Sequence, residues 1–302
     1  MSDVKIEEIT PSHTLGEGPH WADRDQSLIY VDIPEGNLNR YSLRTNTVQT
    51  LHIDDGGKSV SFVVPVEGEK DVYAAGVGTT LSLVHWPEGG SDYQTRKPYR
   101  LLTVDKHVAD TRFNDAKCDP KGRLWAGTTD NAYGTAIEEN KGSLYRVFSN
   151  LESTRMLEEL GALNQRNMYY IDSSTRKMRQ KKNSFGLRKA NGKGSGCMTI
   201  DVNDKLWIAC FGGAQVIHVD PTVGKVERII KFPSLQTTSC SWGGRDYSTL
   251  FVTSANLNLT PEEAVIYPSS GKVFSLTGLG TKGLPAADFK LNKEYVAQFL
   301  KH

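Results

Sequence analysis

The 302-residue sequence predicts an all-β protein made of one repeated unit, and three observations carry that prediction. Short apolar-aromatic stretches of strand length recur, each opened by a turn rich in Asp, Asn or Gly. The aromatic in each stretch (Tyr30, Tyr73, Trp125, Tyr169, Trp207, Phe251) returns at intervals of 43, 52, 44, 38 and 44 residues. A second turn and a second strand follow most of them. A repeat of about 40–50 residues built from short strands is a propeller blade, and six copies predict six blades packed face to face. The chain is expected to form one domain over residues 1–302, since large all-β folds of this length are often single domains.

The copies justify themselves in order. Copy one runs from Ala22 to Asp32, with a second strand at Gly36–Leu43. Copy two is Gly68–Ala75 followed by Thr80–Val84. Copy three is Arg112–Thr128 followed by Gly142–Val147. Its Asp119-Pro120-Lys121-Gly122 is turn chemistry, with φ preset by Pro and positive φ tolerated by Gly. Copy four, Asn164–Asp172, shows a first strand and no clear second one, so blade four is expected to be incomplete and 150–197 atypical. Copy five is Asp201–Ala209 with Gln215–Asp220, and copy six is Asp246–Thr253 with Gly271–Leu276. A strand near Val4–Ile9 is expected to pair into the last blade. Leu291, Tyr295, Val296 and Phe299 stand at helical spacing and predict a short tail helix.

Composition excludes several classes of function. The 36 basic and 35 acidic side chains leave a net charge of +1, so no bulk field draws nucleic acid or a membrane surface. No stretch approaches the ~18 apolar residues of a membrane span, and the N-terminus has no apolar signal region. Cys118, Cys197, Cys210 and Cys240 are widely spaced and form no CxxC pair, the usage of a reduced cytoplasmic protein. From Arg176 to Lys193 there are basic residues and no acidic one. That run reads as a solvated loop replacing lost strands; the other reading is a basic arm. The seven histidines show no zinc spacing, and Walker, GxSxG and GxGxxG motifs are absent.

Chemistry-bearing residues concentrate at the starts of first strands, which line the channel of a propeller. Glu17 lies between Gly16 and Gly18, where backbone can approach a ligand and a lone carboxylate can hold a hard cation. It reads equally as a solvated turn residue. Arg112, Asn114 and Asp115 place a guanidinium, an amide and a carboxylate within four residues, a set that binds hydroxyls or oxyanions. The competing reading is that Asn114 and Asp115 only cap a turn.

Taken together and in order, Gly16-Glu17-Gly18-Pro19-His20-Trp21, Arg112-Phe113-Asn114-Asp115, Leu124-Trp125-Ala126-Gly127-Thr128, Gly142-Ser143-Leu144-Tyr145, Met168–Ser173, Met198-Thr199-Ile200-Asp201, Leu206–Cys210 and Thr277–Gly283 resemble the regucalcin / senescence marker protein / gluconolactonase family, including its insect branch of luciferin-regenerating enzymes and anterior fat body proteins. The resemblance covers nearly all of the chain outside 150–197. It implies a six-bladed propeller that hydrolyses sugar lactones, with one divalent cation at the channel mouth: calcium first, with zinc, manganese or magnesium as alternatives. It implies Glu17 as a metal ligand and Arg112, Asn114 and Asn131 as substrate-binding residues. It also implies a small-molecule lactone as the only partner of a cytoplasmic monomer. A non-catalytic, calcium-binding regulatory propeller is the alternative.

The sequence departs from the family at two places. Glu159-Leu160-Gly161-Ala162-Leu163-Asn164-Gln165 stands where the family has a metal-binding Asn in Ser-Asn-Gly. Ser195-Gly196-Cys197 stands where it has Pro-Asp-Gly, so the expected general-base Asp is absent near Gly196 and no catalytic residue is assigned. Either the chain has lost catalysis and kept the scaffold, or 150–197 is a mis-spliced segment, and one such local event accounts for every departure.

Overall fold

The structure is a computed structural model that describes residues 3–133, 141–160, 167–171, 178–182 and 196–302. Strand β1 (Lys5–Glu8) is followed by β2 (Gly16–Ala22), β3 (Ser27–Asp32), β4 (Asn37–Ser42) and β5 (Thr47–Ile53). Next come β6 (Val60–Pro65), β7 (Val72–Val77) and β8 (Thr80–His85). Strand β9 (Tyr93–Arg96) runs parallel to β5 as a fifth strand of the β2-β3-β4-β5 sheet, and β10 (Tyr99–Thr103) completes the sheet β6-β7-β8-β10.

Strands β11 (Thr111–Cys118), β12 (Leu124–Asp130), β13 (Gly142–Val147) and β14 (Ser153–Leu160) form the third sheet. A hairpin of β15 (Asn167–Ile171) and β16 (Met178–Lys182) follows. The next sheet is β17 (Met198–Ile200), β18 (Leu206–Cys210), β19 (Gln215–Asp220) and β20 (Lys225–Lys231). The last is β21 (Gln236–Gly243), β22 (Thr249–Ala255) and β23 (Phe274–Thr277), with β1 paired antiparallel to β23. Helices α1 (Pro261–Ile266) and α2 (Lys293–Phe299) are short.

Five of the six aromatics that marked the repeat fall on the second strand of their sheet, Tyr169 falls on β15, and the expected N-terminal strand and tail helix are both present. Two expectations need correction. Among the described residues five sheets reach blade size, not six, because copy four contributes only the two strands β15 and β16. The basic run is also not wholly a loop: Met178–Lys182 pairs residue for residue with Asn167–Ile171, Tyr169 facing Gln180. Charged, Lys-rich sequence is compatible with an edge strand, where polar groups discourage further pairing. Asn164–Arg166, Asp172–Lys177 and 183–195 lie outside the described residues.

The strands follow from burial. β3, β7 and β18 are buried along their whole length and are rich in Leu, Ile, Val, Tyr and Trp, the residues that suit a strand packed on both faces. Outer strand β20 mixes polar and apolar residues, from exposed Lys225 and Glu227 to buried Ile230. The chain divides into two compact units. One comprises Met1–Tyr30, Arg40–Val48 and Asn164–Ala286; the other comprises Val31–Asn39, Gln49–Leu163 and Ala287–His302. In the first unit Trp207, Trp242, Val252 and Phe274 centre one cluster, against which Val4 and Ile6 pack. In the second, Phe62, Phe113, Leu124 and Phe289 centre another, with Val296 of α2 on it.

Two blades share a built-in stake. Asp119 Oδ1 accepts the Lys121 and Arg123 amides, and its Oδ2 takes Arg123 Nε at 2.6 Å and Trp125 Nε1 at 3.0 Å. Asp201 repeats this with the Asn203 and Lys205 amides and with Trp207 Nε1 at 3.1 Å, and His218 Nε2 lies 3.2 Å away. Each carboxylate closes the turn that starts the second strand and anchors that strand's aromatic. Asp201 therefore serves the fold.

Candidate active site

In the second unit, β11 carries Arg112 and Asn114. Arg112 faces Thr129 of β12, and Phe113 faces Thr128; the register then slips so that Asp115 faces Gly127. Asn114 is the extra residue of that bulge. A bulge kinks the strand and re-aims a side chain, which is why bulges collect beside binding sites. Arg112 is buried, and its Nη1 donates to the Phe113 carbonyl at 2.9 Å. Its guanidinium lies over the Tyr133 ring, 4.6 Å from the centroid. Asn114 is half-buried. Asn131 is exposed just past β12, with its amide donating to the Asp110 carbonyl at 2.8 Å. Buried Asp130 accepts from Lys141 Nζ at 3.4 Å. Arg112, Asn114 and Asn131 thus belong to adjoining segments of one unit.

Glu17 belongs to the other unit. It is half-buried on β2, and its Oε2 accepts the Gly18 amide at 3.0 Å. Gly18 has φ 57°, in the left-handed region that favours glycine, and a Cβ on Gly16 would lie 3.0 Å from the Ser254 carbonyl oxygen, a tight approach that glycine avoids. β21 has the same bulge as β11: Ser239 faces Thr253 and Thr237 faces Ser254, with Thr238 between them unpaired in register.

The bulge position locates Gly196. Asp119 and Asp201 both stand six residues before their Trp, and Asn114 and Gly196 both stand five before that Asp. Gly196 is therefore the counterpart of Asn114 in its own blade. Its amide donates to the Ala209 carbonyl at 2.7 Å, and Cys197 donates to the Thr238 carbonyl at 2.9 Å. A Cβ at Gly196 would lie 2.3 Å from the Thr238 carbonyl oxygen. The backbone here leaves no room for a side chain.

Sequence reasoning missed Ser61, Thr238 and Tyr133. The available signal was a hydroxyl inside an otherwise apolar run, Val60-Ser61-Phe62, and an unusual string of Thr and Ser from Thr237 to Ser241.

The sequence matches the SMP-30/gluconolactonase/LRE-like family model over residues 15–256. It is 33% identical to regucalcin of Sus scrofa over 94% of this chain and 98% of that protein. The chain belongs to the SMP-30/gluconolactonase/LRE-like family. A solved luciferin-regenerating enzyme superposes with a TM-score of 0.83 at 26% identity, covering 96% of this chain and all of the other. A calcium-binding regucalcin from Agrobacterium tumefaciens superposes with a TM-score of 0.77 at 20% identity, over 94% and 97% of the two chains. The fold is that of an all-β propeller.

Family membership raises the question of a divalent cation. Calcium takes six to eight oxygen ligands. Among the described residues no three His, Cys, Asp or Glu side chains gather to hold a metal ion, and Gly196 has no side chain to contribute. The described residues do not by themselves complete such a centre. Cys118, Cys197, Cys210 and Cys240 form no disulfide, and no helix among the described residues is long and apolar enough to cross a membrane.

Proposed function

We propose that this chain is a sugar-lactone hydrolase scaffold of the gluconolactonase kind, whose turnover is impaired by the loss of its general base. In this reading a small-molecule lactone is the ligand of a monomer. Asn114, aimed by its bulge, and Asn131 bind ring hydroxyls, and Arg112 fixes the same wall. Glu17 is, among the described residues, the side-chain ligand for a divalent cation, calcium first, completed by backbone and water oxygens and so held weakly. Opening a lactone requires a water that gives up a proton as it attacks. At the position where relatives are expected to place a carboxylate for that proton, this chain has the hydrogen of Gly196. Removing a general base slows such reactions by about 10²–10⁴-fold.

The observation that carries the reading is the backbone around Gly196, packed against Thr238 with no space for a side chain. The same observation favours a second reading, a non-catalytic calcium-binding propeller. A pH-stat assay of gluconolactone opening, with and without calcium or zinc, separates the two. Slow metal-dependent turnover whose KM rises in Asn114→Ala supports the first. Binding without any turnover above the spontaneous rate supports the second, and turnover at the rate of an intact relative contradicts both.

A further inference from the structure

Two hydroxyls on inner-strand bulges reach across to a neighbouring strand. Ser61 is skipped in the β6–β7 register, between Val60 facing Val77 and Phe62 facing Gly76. Its Oγ, fully buried, donates to the Phe113 carbonyl at 2.5 Å. Thr238 is skipped in the β21–β22 register, and its Oγ1, also fully buried, donates to the Gly16 carbonyl at 2.6 Å. Thr253 Oγ1 lies 2.8 Å from the same hydroxyl.

Each accepting carbonyl stands directly before a residue given a role above. The Phe113 carbonyl shares its peptide group with the nitrogen of Asn114, and the Gly16 carbonyl shares its own with the nitrogen of Glu17. A peptide group is planar, so holding its oxygen fixes the plane from which the next Cα and its side chain project. At Phe113 the constraint is doubled, because Arg112 Nη1 donates to that oxygen as well. Among the described residues the arrangement occurs in each unit, in segments of unrelated sequence, and each time directly before a residue given a role above.

We propose that Ser61 is a positioning residue for Asn114, and Thr238 for Glu17. The inference rests on the assignment of Asn114 to the sugar and of Glu17 to the cation. Ser61→Ala and Thr238→Val are the variants, with Thr238→Ala in place of the latter if it does not fold. The probes are anhydroglucitol, a sugar ring without the hydrolysable carbonyl, and calcium alone, each titrated calorimetrically. Amide hydrogen exchange at Asn114 and Glu17 is read in parallel.

Ser61→Ala is expected to weaken anhydroglucitol binding about 3- to 10-fold, the worth of one hydrogen bond, and to leave calcium binding unchanged. Thr238→Val is expected to do the reverse, and Thr238→Ser, which keeps the hydroxyl, to behave as the parent. Exchange should quicken at Asn114 only in the first variant and at Glu17 only in the second. Equal weakening of both probes by each variant, or unchanged exchange at both amides, overturns the proposal. Selective exchange changes in a parent chain that binds neither probe would keep the two hydroxyls as anchors of those peptide groups, but would overturn the site assignment and the positioning role with it.

Discussion

At the scale of single residues, Asp201 shows how one buried charge is made to stabilise the fold. Burial alone would raise its pKa, but hydrogen bonds from His218, Trp207 Nε1 and the Lys205 and Asn203 amides outweigh it and bring the value to about 2. A carboxylate whose folded pKa is depressed contributes stability that is present above its unfolded pKa and lost as pH falls through the folded one. The contribution here is about 2 kcal/mol, present above about pH 4 and gone near pH 2. Urea unfolding as a function of pH should therefore show Asp201→Asn destabilised at neutral pH and converging on the parent near pH 2. Parallel profiles would contradict it.

Asp119 follows the same logic: burial opposes ionisation, while Arg123, Trp125 and two amides lower its pKa. Gly196 is the opposite case, where absence of a side chain matters. Gly196→Ala is expected to cost about 1–3 kcal/mol by overpacking against Thr238, seen as a lower urea midpoint. An unchanged midpoint would mean that the backbone there yields. The loss of a carboxylate at Gly196 was legible in the sequence, since Ser195-Gly196-Cys197 lacks one. The lack of room for one was not, because it depends on Thr238, far away in the chain.

At the scale of elements, β1 is the outer strand of the last sheet, paired from Lys5 with Thr277 to Glu8 with Phe274. Glu8 also binds Ser269 and Lys272, and burial is outweighed there too, so its pKa is lowered, chiefly by the Lys272 and Ser269 hydrogen bonds. Truncation of residues 1–9 removes Val4 and Ile6 from the core they pack on and bares the edge of β23. Its thermal midpoint should fall by at least about 5 °C, with light scattering rising on heating as the open edge pairs. A truncated chain with the parent's midpoint would contradict that role. β1 was legible because its sequence precedes the first turn and the last sheet lacked an outer strand. The bulges at Ser61, Asn114 and Thr238 were not legible, since an extra residue in a strand changes neither composition nor period. The hairpin of β15 and β16 was half legible: its aromatic first strand fits the repeat, while the basic second strand conceals itself as loop.

At the scale of the whole molecule, the repeat of aromatics was enough to predict a propeller because blades must bury both faces on neighbours and each second strand needs a large side chain to do so. Among the described residues the sheets of blade size fall one short of the expected six, because copy four shows only the two strands β15 and β16. The cluster of Arg112 and Asn114, proposed to bind substrate, was legible as polar groups at a strand start, whereas the burial of Arg112 against the Tyr133 ring was not. The claim that matters most is that the scaffold persists while the chemistry is curtailed. Calorimetric titration of the purified chain with calcium, followed by a gluconolactonase assay at the highest calcium reached, tests it directly. Weak calcium binding, with turnover reduced about 100-fold or more relative to an intact relative and a β-rich spectrum, is the expected result. Micromolar calcium binding with full turnover would contradict it and would mean that other groups of this chain supply both the missing ligands and the base.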